Sequence, residues 1–298
     1  MPGPLLDDRS PARPPPKAAG LIALAVASAS VAVVTYLLLV RTGIGQRFDG
    51  LAFNGRKATN YPLRRIGAGF LGYATVPGIL VLVVVLGAMS VRNGRWRVAL
   101  VAGAAVIAAL ATTTLLKAAL HHPPLNGCDQ DSCRNTYPSG HATVAFALVL
   151  GSLLISTRQR RPTVRWVAIV SSLIYMTALL GSGWHRPSDV LGGCAIATAW
   201  MALAAALLGR QALQPPPARD HTGHPLASNH RSPIVQWSLG SGVIAMATAI
   251  GLLLIQNPFP NPEHRFSAYL FASVAINVFT VLVAGALLLQ IDPSEQPG

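Results

Sequence analysis

A turn of five residues, Tyr137-Pro138-Ser139-Gly140-His141, delivers a histidine onto the start of a long apolar stretch. Proline, serine and glycine before such a stretch predict that a helix begins here. The first N–H groups of a helix lack intrahelical acceptors and lie at the positive end of its dipole, so they bind anions such as phosphate. Ser139 and Gly140 are therefore candidate phosphate-binding residues, and His141 is placed to exchange a proton with the bound group.

A second histidine and a carboxylate, His185 and Asp189, lie four residues apart where another apolar stretch begins. A carboxylate beside one ring nitrogen fixes the tautomer of a histidine and leaves the other nitrogen as a base or a nucleophile. The alternative is that Asp189 only caps the helix that follows. Lys117 is a candidate to bind the phosphate by its positive charge. The alternative role for Lys117 is to complement the negative C-terminal end of a helix at the membrane surface.

The composition is that of an α-helical protein that crosses a membrane several times. Of the 298 residues, 52% are hydrophobic and only 11% are charged, and the mean hydropathy is +0.47. The net charge of +13 comes from basic residues that lie mostly between apolar stretches. Membrane topology and anionic headgroups explain this charge better than nucleic acid does, so the expected partner is the bilayer. Spans of about 20 residues are predicted at 18–40, 67–90, 97–120, 141–157, 164–180, 189–209, 234–255 and 268–290.

The distribution of Lys and Arg predicts a cytoplasmic N-terminus. Most basic residues between spans then face the cytoplasm, as the positive-inside rule requires, and the basic loop 41–66 is the exception. With this orientation Lys117, His141, His185 and Asp189 all lie at the extracytoplasmic face of the cell membrane. The predicted organisation begins with a disordered tail (1–17) and a six-span core (18–209). A polar linker (210–233), a two-span C-terminal hairpin (234–290) and a second tail (291–298) follow.

Three cysteines are too few for a disulfide scaffold. Cys128 and Cys133 lie in the loop between the third and fourth spans, where a local disulfide would stiffen the approach to the Pro-Ser-Gly-His turn. A zinc site that combines them with His121 and His122 is the alternative, although the spacing fits no common zinc pattern. Cys194 lies within an apolar span and is expected to be a packing residue.

These motifs resemble the signature of the type 2 phosphatidic acid phosphatase (PAP2) family. That signature reads Lys-x6-Arg-Pro, then Pro-Ser-Gly-His, then Ser-Arg-x5-His-x3-Asp. The second motif is complete at residues 138–141, and His185 and Asp189 complete the end of the third, followed by a family-like Val-Leu-Gly-Gly. Lys117 matches the lysine of the first motif. The resemblance covers the predicted six-span core. Loop 41–66, with its Thr-Gly-Ile-Gly-Gln sequence and Asp49, looks like that of a bacterial integral-membrane branch.

The resemblance implies an all-α membrane bundle that carries a phosphatase site without a metal or another cofactor. His185 would attack phosphorus to form a phosphohistidine, with Asp189 orienting its ring. His141 would protonate the leaving alkoxide and then activate the water that hydrolyses the intermediate. Lys117 and the amides of the Pro-Ser-Gly-His turn would hold the phosphate oxygens. The implied substrates are lipid phosphates or pyrophosphates, such as isoprenoid pyrophosphates or phosphatidate-type lipids.

Two arginines of the family signature are missing from their usual places. Pro124 stands where the first is expected, and Ala178-Leu179 stands where Ser-Arg is expected. Loss of one preorganised donor to a transition-state oxyanion typically costs about 3 to 4 kcal/mol, so another source of positive charge is needed. An arginine fork can reach a phosphate from several backbone positions. The candidate replacements are Arg134, Arg186 and His122.

Two other classes of function stay open at the level of sequence. The missing arginines favour a degenerate, non-catalytic relative that binds lipid phosphate or acts as a scaffold. A transporter would carry ionisable groups within its spans, and the apolar stretches contain almost none.

Overall fold

The computed structural model is an α-helical bundle. It describes residues 18–58, 94–123, 135–156, 161–213 and 264–291, together with Leu125 and isolated residues between 65 and 92. No strand occurs in these ranges. The helices that position the site are α1 (Ala18–Thr35, extended by a π-helical turn, Tyr36–Val40), α2 (Gly43–Gly55), α3 (Trp96–Ala119), α4 (Gly140–Ile155), α5 (Arg161–Ser182), α6 (Pro187–Leu213) and α7 (Arg265–Ile291).

Five of these helices are long and apolar enough to cross a membrane, which makes the chain a polytopic membrane protein. They are Ala18–Val40, Trp96–Ala119, Pro162–Ser182, Pro187–Gly209 and Arg265–Ile291. Each coincides with a predicted span to within a few residues. The predicted span 234–255 lies outside the described residues, and so does most of the span 67–90.

The fourth predicted span, 141–157, is a shorter helix than expected. Helix α4 has 16 residues, or roughly 24 Å at 1.5 Å per residue, which is less than the hydrocarbon thickness of about 30 Å. Most of its side chains are buried, because α3, α5 and α6 surround it. The helix that carries His141 is therefore shielded from lipid by its neighbours.

Helix α6 lies at the centre of the bundle, in contact with α1, α3 and α4. Its small residues permit this close packing, as is usual between helices in membranes. Cys194 is fully buried there, and its thiol donates to Sδ of Met176 at 3.7 Å, which agrees with the packing role predicted for it. Gly209 has φ of 64°, a left-handed conformation that suits glycine, and it breaks the helix where the predicted span ends.

The segment 41–66, predicted as a loop, contains a helix. Thr42 caps α2 by accepting a hydrogen bond from the Gly45 amide at 3.0 Å. The buried side of α2 packs on α7, where Ala52 contacts the Ala268–Ala272 face. Gly55 approaches the carbonyl of Arg265 so closely that no Cβ fits. The helix forms because its buried side is covered by a span that lies far away in sequence.

The last described helix, α7, also contacts α5 and α6, so it packs directly on the predicted core. The division into a core and a C-terminal hairpin stays a prediction, since much of the second unit lies outside the described residues.

At the end of the bundle away from α2, Arg95 is buried and donates to carbonyls of Leu154, Ser156 and Leu213 at 3.2, 2.7 and 3.1 Å. We call this the Arg95 end, and the opposite end, which holds residues 40–58, 119–123, 135–141 and 182–189, the site end.

Candidate active site

The Pro-Ser-Gly-His turn is built as a helix start. The Ser139 hydroxyl caps α4 by accepting from the Ala142 amide at 3.2 Å, as serine commonly does. The Ser139 amide donates to the main-chain carbonyl of Asp189 at 2.9 Å, so this N–H is occupied. Ser139 is fully buried. The first N–H groups of a helix have no intrahelical acceptor, which leaves the amides of Gly140 and His141 to face an anion.

The two histidines predicted to carry the chemistry are brought together. Nδ1 of His141 and Nε2 of His185 are 3.1 Å apart, within hydrogen-bond distance. Their ring centroids are 5.3 Å apart. His185 is buried, whereas His141 is half-buried. The other ring nitrogen of His185, Nδ1, faces the Asp189 carboxylate, with 3.7 Å to Oδ2.

Asp189 is a fixed element of the site. Its Oδ2 accepts from the Thr136 hydroxyl at 2.7 Å and from the Arg186 amide at 3.0 Å. The second bond closes the start of α6, because a carboxylate at the third helical position commonly accepts from the amide that precedes the helix. Asp189 therefore caps its helix and also faces His185, so the two sequence interpretations of this residue are compatible.

Lys117 lies in the last turn of α3 and is half-buried. One turn earlier, Thr113 is hydrogen-bonded to Thr143 of α4 at 3.0 Å, so Lys117 lies near the end of α4 that carries His141. The Asn135 side chain donates to the carbonyls of Lys117 and Leu120 at 3.0 and 2.8 Å. It also accepts from the Tyr137 amide at 3.1 Å. Asn135 thereby joins the end of α3 to the turn that carries His141.

Arg186 directly follows His185, and His122 lies near Arg186. Burial, and secondly the charge of Arg186, lower the pKa of His122. Nδ1 of His122 is buried and has no hydrogen-bond partner in the described part of the chain. The Arg186 guanidinium lies over the Phe53 ring of α2, 5.8 Å from its centroid, a cation–π arrangement.

The Gly-Gly pair that follows Val190-Leu191 lets α6 approach the turn. A Cβ on Gly193 would lie 2.6 Å from the Ser139 carbonyl oxygen and 3.0 Å from Oγ1 of Thr143. A Cβ on Gly192 would overlap the Tyr137 ring. The Tyr137 hydroxyl donates to the Ala32 carbonyl of α1 at 2.6 Å, which fixes the turn against a second helix.

Of the two places where a family arginine is expected, the described one, Leu179, does not lie at the site surface. Leu179 is fully buried in the apolar core, and Ala178 lies beside it on α5. Pro124 and Arg134 lie outside the described residues, as do Cys128 and Cys133, so the predicted disulfide stays a prediction. Within the described part of the chain, no group of three His, Cys, Asp or Glu side chains is arranged to hold a metal ion.

Sequence reasoning missed three contributors to this site. Asp49 of α2 accepts hydrogen bonds from Ser188, and Thr136 donates to Asp189. Trp184 is partly exposed, and its ring lies edge-on to His141 with centroids 5.3 Å apart. For Thr136 and Trp184 the available signal was adjacency to the motifs. For Asp49 the signals were an acidic residue in an otherwise basic segment and the resemblance of that segment to a bacterial branch of the family.

Residues 99–212 match the family model of the PAP2 superfamily. This part of the chain belongs to the PAP2 superfamily. No curated protein and no solved structure matches the chain. The PAP2 segment runs from α3 to α6 and contains Lys117, the 138–141 turn, His185 and Asp189. Membership in this superfamily indicates phosphatase-type chemistry, and α2 with Asp49 lies outside the matched segment.

Proposed function

We propose that the chain is a membrane lipid phosphatase that hydrolyses a phosphate monoester or pyrophosphate of a lipid through a phosphohistidine on His185. The facing ring nitrogens of His141 and His185, 3.1 Å apart, are the observation that carries this proposal. Asp189 lies beside Nδ1 of His185, so the nitrogen that points into the site is Nε2. A phosphorus atom bound there would lie next to His141.

In the proposed reaction, Nε2 of His185 attacks phosphorus, an N–P bond forms and the bond to the lipid oxygen breaks. His141 donates a proton to that oxygen as it leaves. His141 then accepts a proton from a water molecule, which attacks phosphorus and breaks the N–P bond. Inorganic phosphate and the free histidine result. Asp189 stabilises the positive charge that develops on His185.

The phosphate oxygens would be held by Lys117 and by the amides of Gly140 and His141, which supply charge and oriented donors. Ser139 supports this arrangement by fixing the helix start. Arg186 is proposed to supply part of the missing charge. His122, whose pKa is lowered by burial, is proposed to donate a hydrogen bond to a phosphate oxygen as a neutral imidazole. Arg134, four residues before Pro138, is a further candidate.

The spans around the site favour a lipid as substrate. The site lies at one end of a bundle whose helices carry exposed apolar side chains, so an acyl or isoprenoid chain can stay in the bilayer while its headgroup enters. Trp184, partly exposed beside His141, is a residue type that favours the membrane interface. We place this end at the extracytoplasmic face on the charge distribution of the loops.

The test is release of inorganic phosphate by the purified protein from phosphatidate and from an isoprenoid pyrophosphate in mixed micelles. His185→Ala is expected to abolish release, because it removes the proposed nucleophile. His264→Ala is the matched control, since this histidine precedes α7 and no described contact joins it to His141 or His185. Equal release by His185→Ala and wild type would refute the proposed nucleophile.

The second candidate is a degenerate PAP2 relative that binds lipid phosphate without hydrolysing it. The complete burial of Leu179 favours it, because that position cannot offer a phosphate ligand. This version predicts that vesicles containing phosphatidate bind the protein more tightly than phosphatidylcholine vesicles do, while no phosphate is released. It also predicts that His185→Ala leaves that binding unchanged.

A further inference from the structure

We propose that Asp49 on α2 is a positioning residue, which holds both polar groups of Ser188 and thereby fixes the turn that carries His185 and Asp189. The inference rests on the proposed function in that it takes His185 to be the nucleophile. It adds a residue from outside the PAP2 segment to the machinery of the site.

The contact between α2 and the start of α6 is specific. Oδ1 of Asp49 accepts from the Ser188 amide at 2.9 Å, and Oδ2 accepts from the Ser188 hydroxyl at 2.7 Å. Both residues are almost completely buried. Two hydrogen bonds from one residue to the two oxygens of one carboxylate fix its orientation as well as its distance.

The start of α6 needs such a partner. The helix begins at Pro187, and the residue before it, Arg186, has no side-chain acceptor for the first amides. Asp49 supplies that acceptor from a position 139 residues earlier in the chain. A carboxylate at a helix N-terminus is also favoured by the dipole. Asp189 closes the same turn from within, through the Arg186 amide.

The arrangement places two carboxylates at one buried turn. Burial, and secondly the charge of Asp189, raise the pKa of Asp49 to about 7, while the Ser188 bonds and Arg186 oppose the rise. A like-charged, buried carboxylate beside Asp189 costs stability. Such costs concentrate at sites where geometry has to be held for function.

Helix α2 is itself anchored, so it can act as a fixed support. Phe48 packs edge-on to Phe271 of α7 with ring centroids 6.0 Å apart. Gln46 donates to the Val40 and Pro123 carbonyls at 2.8 and 2.6 Å. Asp49 therefore connects the turn of His185 to α7 and to the segment that carries His122.

The first arm of the test compares Asp49→Asn, Ser188→Ala, the double variant and Thr42→Ala in the phosphate-release assay. Asp49→Asn keeps the size of the side chain and removes one acceptor. We expect kcat to fall about 10- to 100-fold, because a small misplacement of a reacting group has effects of this size, with KM within about twofold. The double variant should be no worse than the stronger single variant, since both remove one interaction.

Thr42→Ala is the matched control because it removes the cap of α2 without touching Ser188. It should lower the thermal stability of the protein and leave kcat unchanged. If Thr42→Ala lowers kcat as much as Asp49→Asn does, Asp49 has only a structural role. A change confined to KM in Asp49→Asn also overturns the positioning role.

The second arm does not depend on turnover. Histidine-selective 15N labelling in detergent micelles reports the tautomer and hydrogen bonding of each ring, and the His185 signal is identified by its loss in His185→Ala. Asp49→Asn should shift this signal, whereas Thr42→Ala should not. An unchanged His185 signal in Asp49→Asn refutes the inference.

The two arms separate the two proposals. If the wild-type protein releases no phosphate, the proposed function fails, and the 15N comparison still decides whether Asp49 positions the ring. If His185→Ala abolishes release while Asp49→Asn matches Thr42→Ala in kcat and in the spectrum, the proposed function stands and the positioning inference is wrong.

Discussion

At the scale of residues, the two facing histidines divide the proposed reaction into two steps that can be separated by experiment. His141 donates a proton to the leaving group in the first step and accepts a proton from water in the second. With p-nitrophenyl phosphate, the phenolate leaves without a proton, so only the second step needs His141. We expect His141→Ala to release about one nitrophenolate per protein in a burst, followed by turnover slowed about 10²- to 10⁴-fold.

Stopped-flow absorbance measures this burst. His185→Ala should show neither a burst nor turnover, because it lacks the nucleophile. Steady turnover of His141→Ala at the wild-type rate, without a burst, would contradict the roles given to the two rings.

A second prediction at this scale concerns the buried carboxylate of Asp49. Its pKa of about 7 lies above the ordinary value of 3.8, so the folded state binds the proton more tightly than the unfolded state does. This contribution to the free energy of unfolding is complete below the unfolded-state pKa of 3.8, and it is lost as the pH rises through the folded-state pKa of about 7. The thermal midpoint of the wild type should therefore fall, relative to that of Asp49→Asn, between about pH 5 and pH 8.

Thermal unfolding followed by circular dichroism over this range provides the measurement. Thr42→Ala should keep the pH dependence of the wild type, since it retains Asp49. Parallel curves for wild type and Asp49→Asn would show that Asp49 does not titrate in this range.

The structure brings together the residues that sequence motifs point to, and it adds residues that motifs cannot reveal. The proximity of His141, His185 and Asp189 was predictable, because they belong to motifs that are defined by residue type and by short spacings within each motif. Asp49 was not, because its partner Ser188 is 139 residues away. The assignment of Ser139 as a direct phosphate ligand came from its type, whereas its amide and hydroxyl are both engaged in holding helix starts.

At the scale of elements, the close approach of α6 to the turn before α4 allows a sharp test. The Gly193→Ala methyl would lie 2.6 Å from the Ser139 carbonyl oxygen, which is backbone and cannot move aside cheaply. The two helices must separate, which carries His141 away from His185. We expect a loss of thermal stability and a fall in kcat of at least about 10-fold.

Gly103→Ala is the matched control because a methyl group there has open space on α3. It should leave activity unchanged, and it favours the helix by up to about 1 kcal/mol. Equal activity of Gly193→Ala and Gly103→Ala would show that the spacing of α4 and α6 does not control the histidine pair.

Also at this scale, the spans were predictable and α2 was not. A membrane span can be predicted from a long apolar stretch, because the helix is apolar on the sides that face lipid and on the sides that face protein. Helix α2 has 13 residues, with Gln46 and Asp49 on its buried side. It is stabilised by packing against α7, which lies more than 200 residues further along the chain. A contact between such distant segments cannot be predicted from the local sequence pattern.

At the scale of the whole molecule, the ends of the described helices agree with the predicted alternation of spans. Ala58 lies at the site end and Gly94 beside Arg95 at the opposite end, as a span between them requires. Leu213 lies at the Arg95 end, and Arg265 lies at the site end against Gly55. The predicted spans 67–90 and 234–255 would supply these two crossings.

The orientation of the molecule in the membrane is the last prediction. If the N-terminus is cytoplasmic, the site end faces outward and the Arg95 end faces the cytoplasm. The test uses a protein in which the three cysteines are replaced by serine. A single cysteine is then introduced by Lys57→Cys at the site end or by Arg92→Cys near the Arg95 end, because both positions are exposed. A membrane-impermeant maleimide should label Lys57→Cys in intact cells and Arg92→Cys only after permeabilisation.

Labelling is read as a mass shift on a gel, and the cysteine-free protein is the control for background. The basic loop 41–66 weakens the charge argument for this orientation, but much of that segment is helix α2, fixed to the bundle by α7. Basic residues on a helix so anchored can face anionic headgroups at either membrane surface. The opposite labelling pattern would therefore place the site at the cytoplasmic face, with the histidine pair and its supports unchanged.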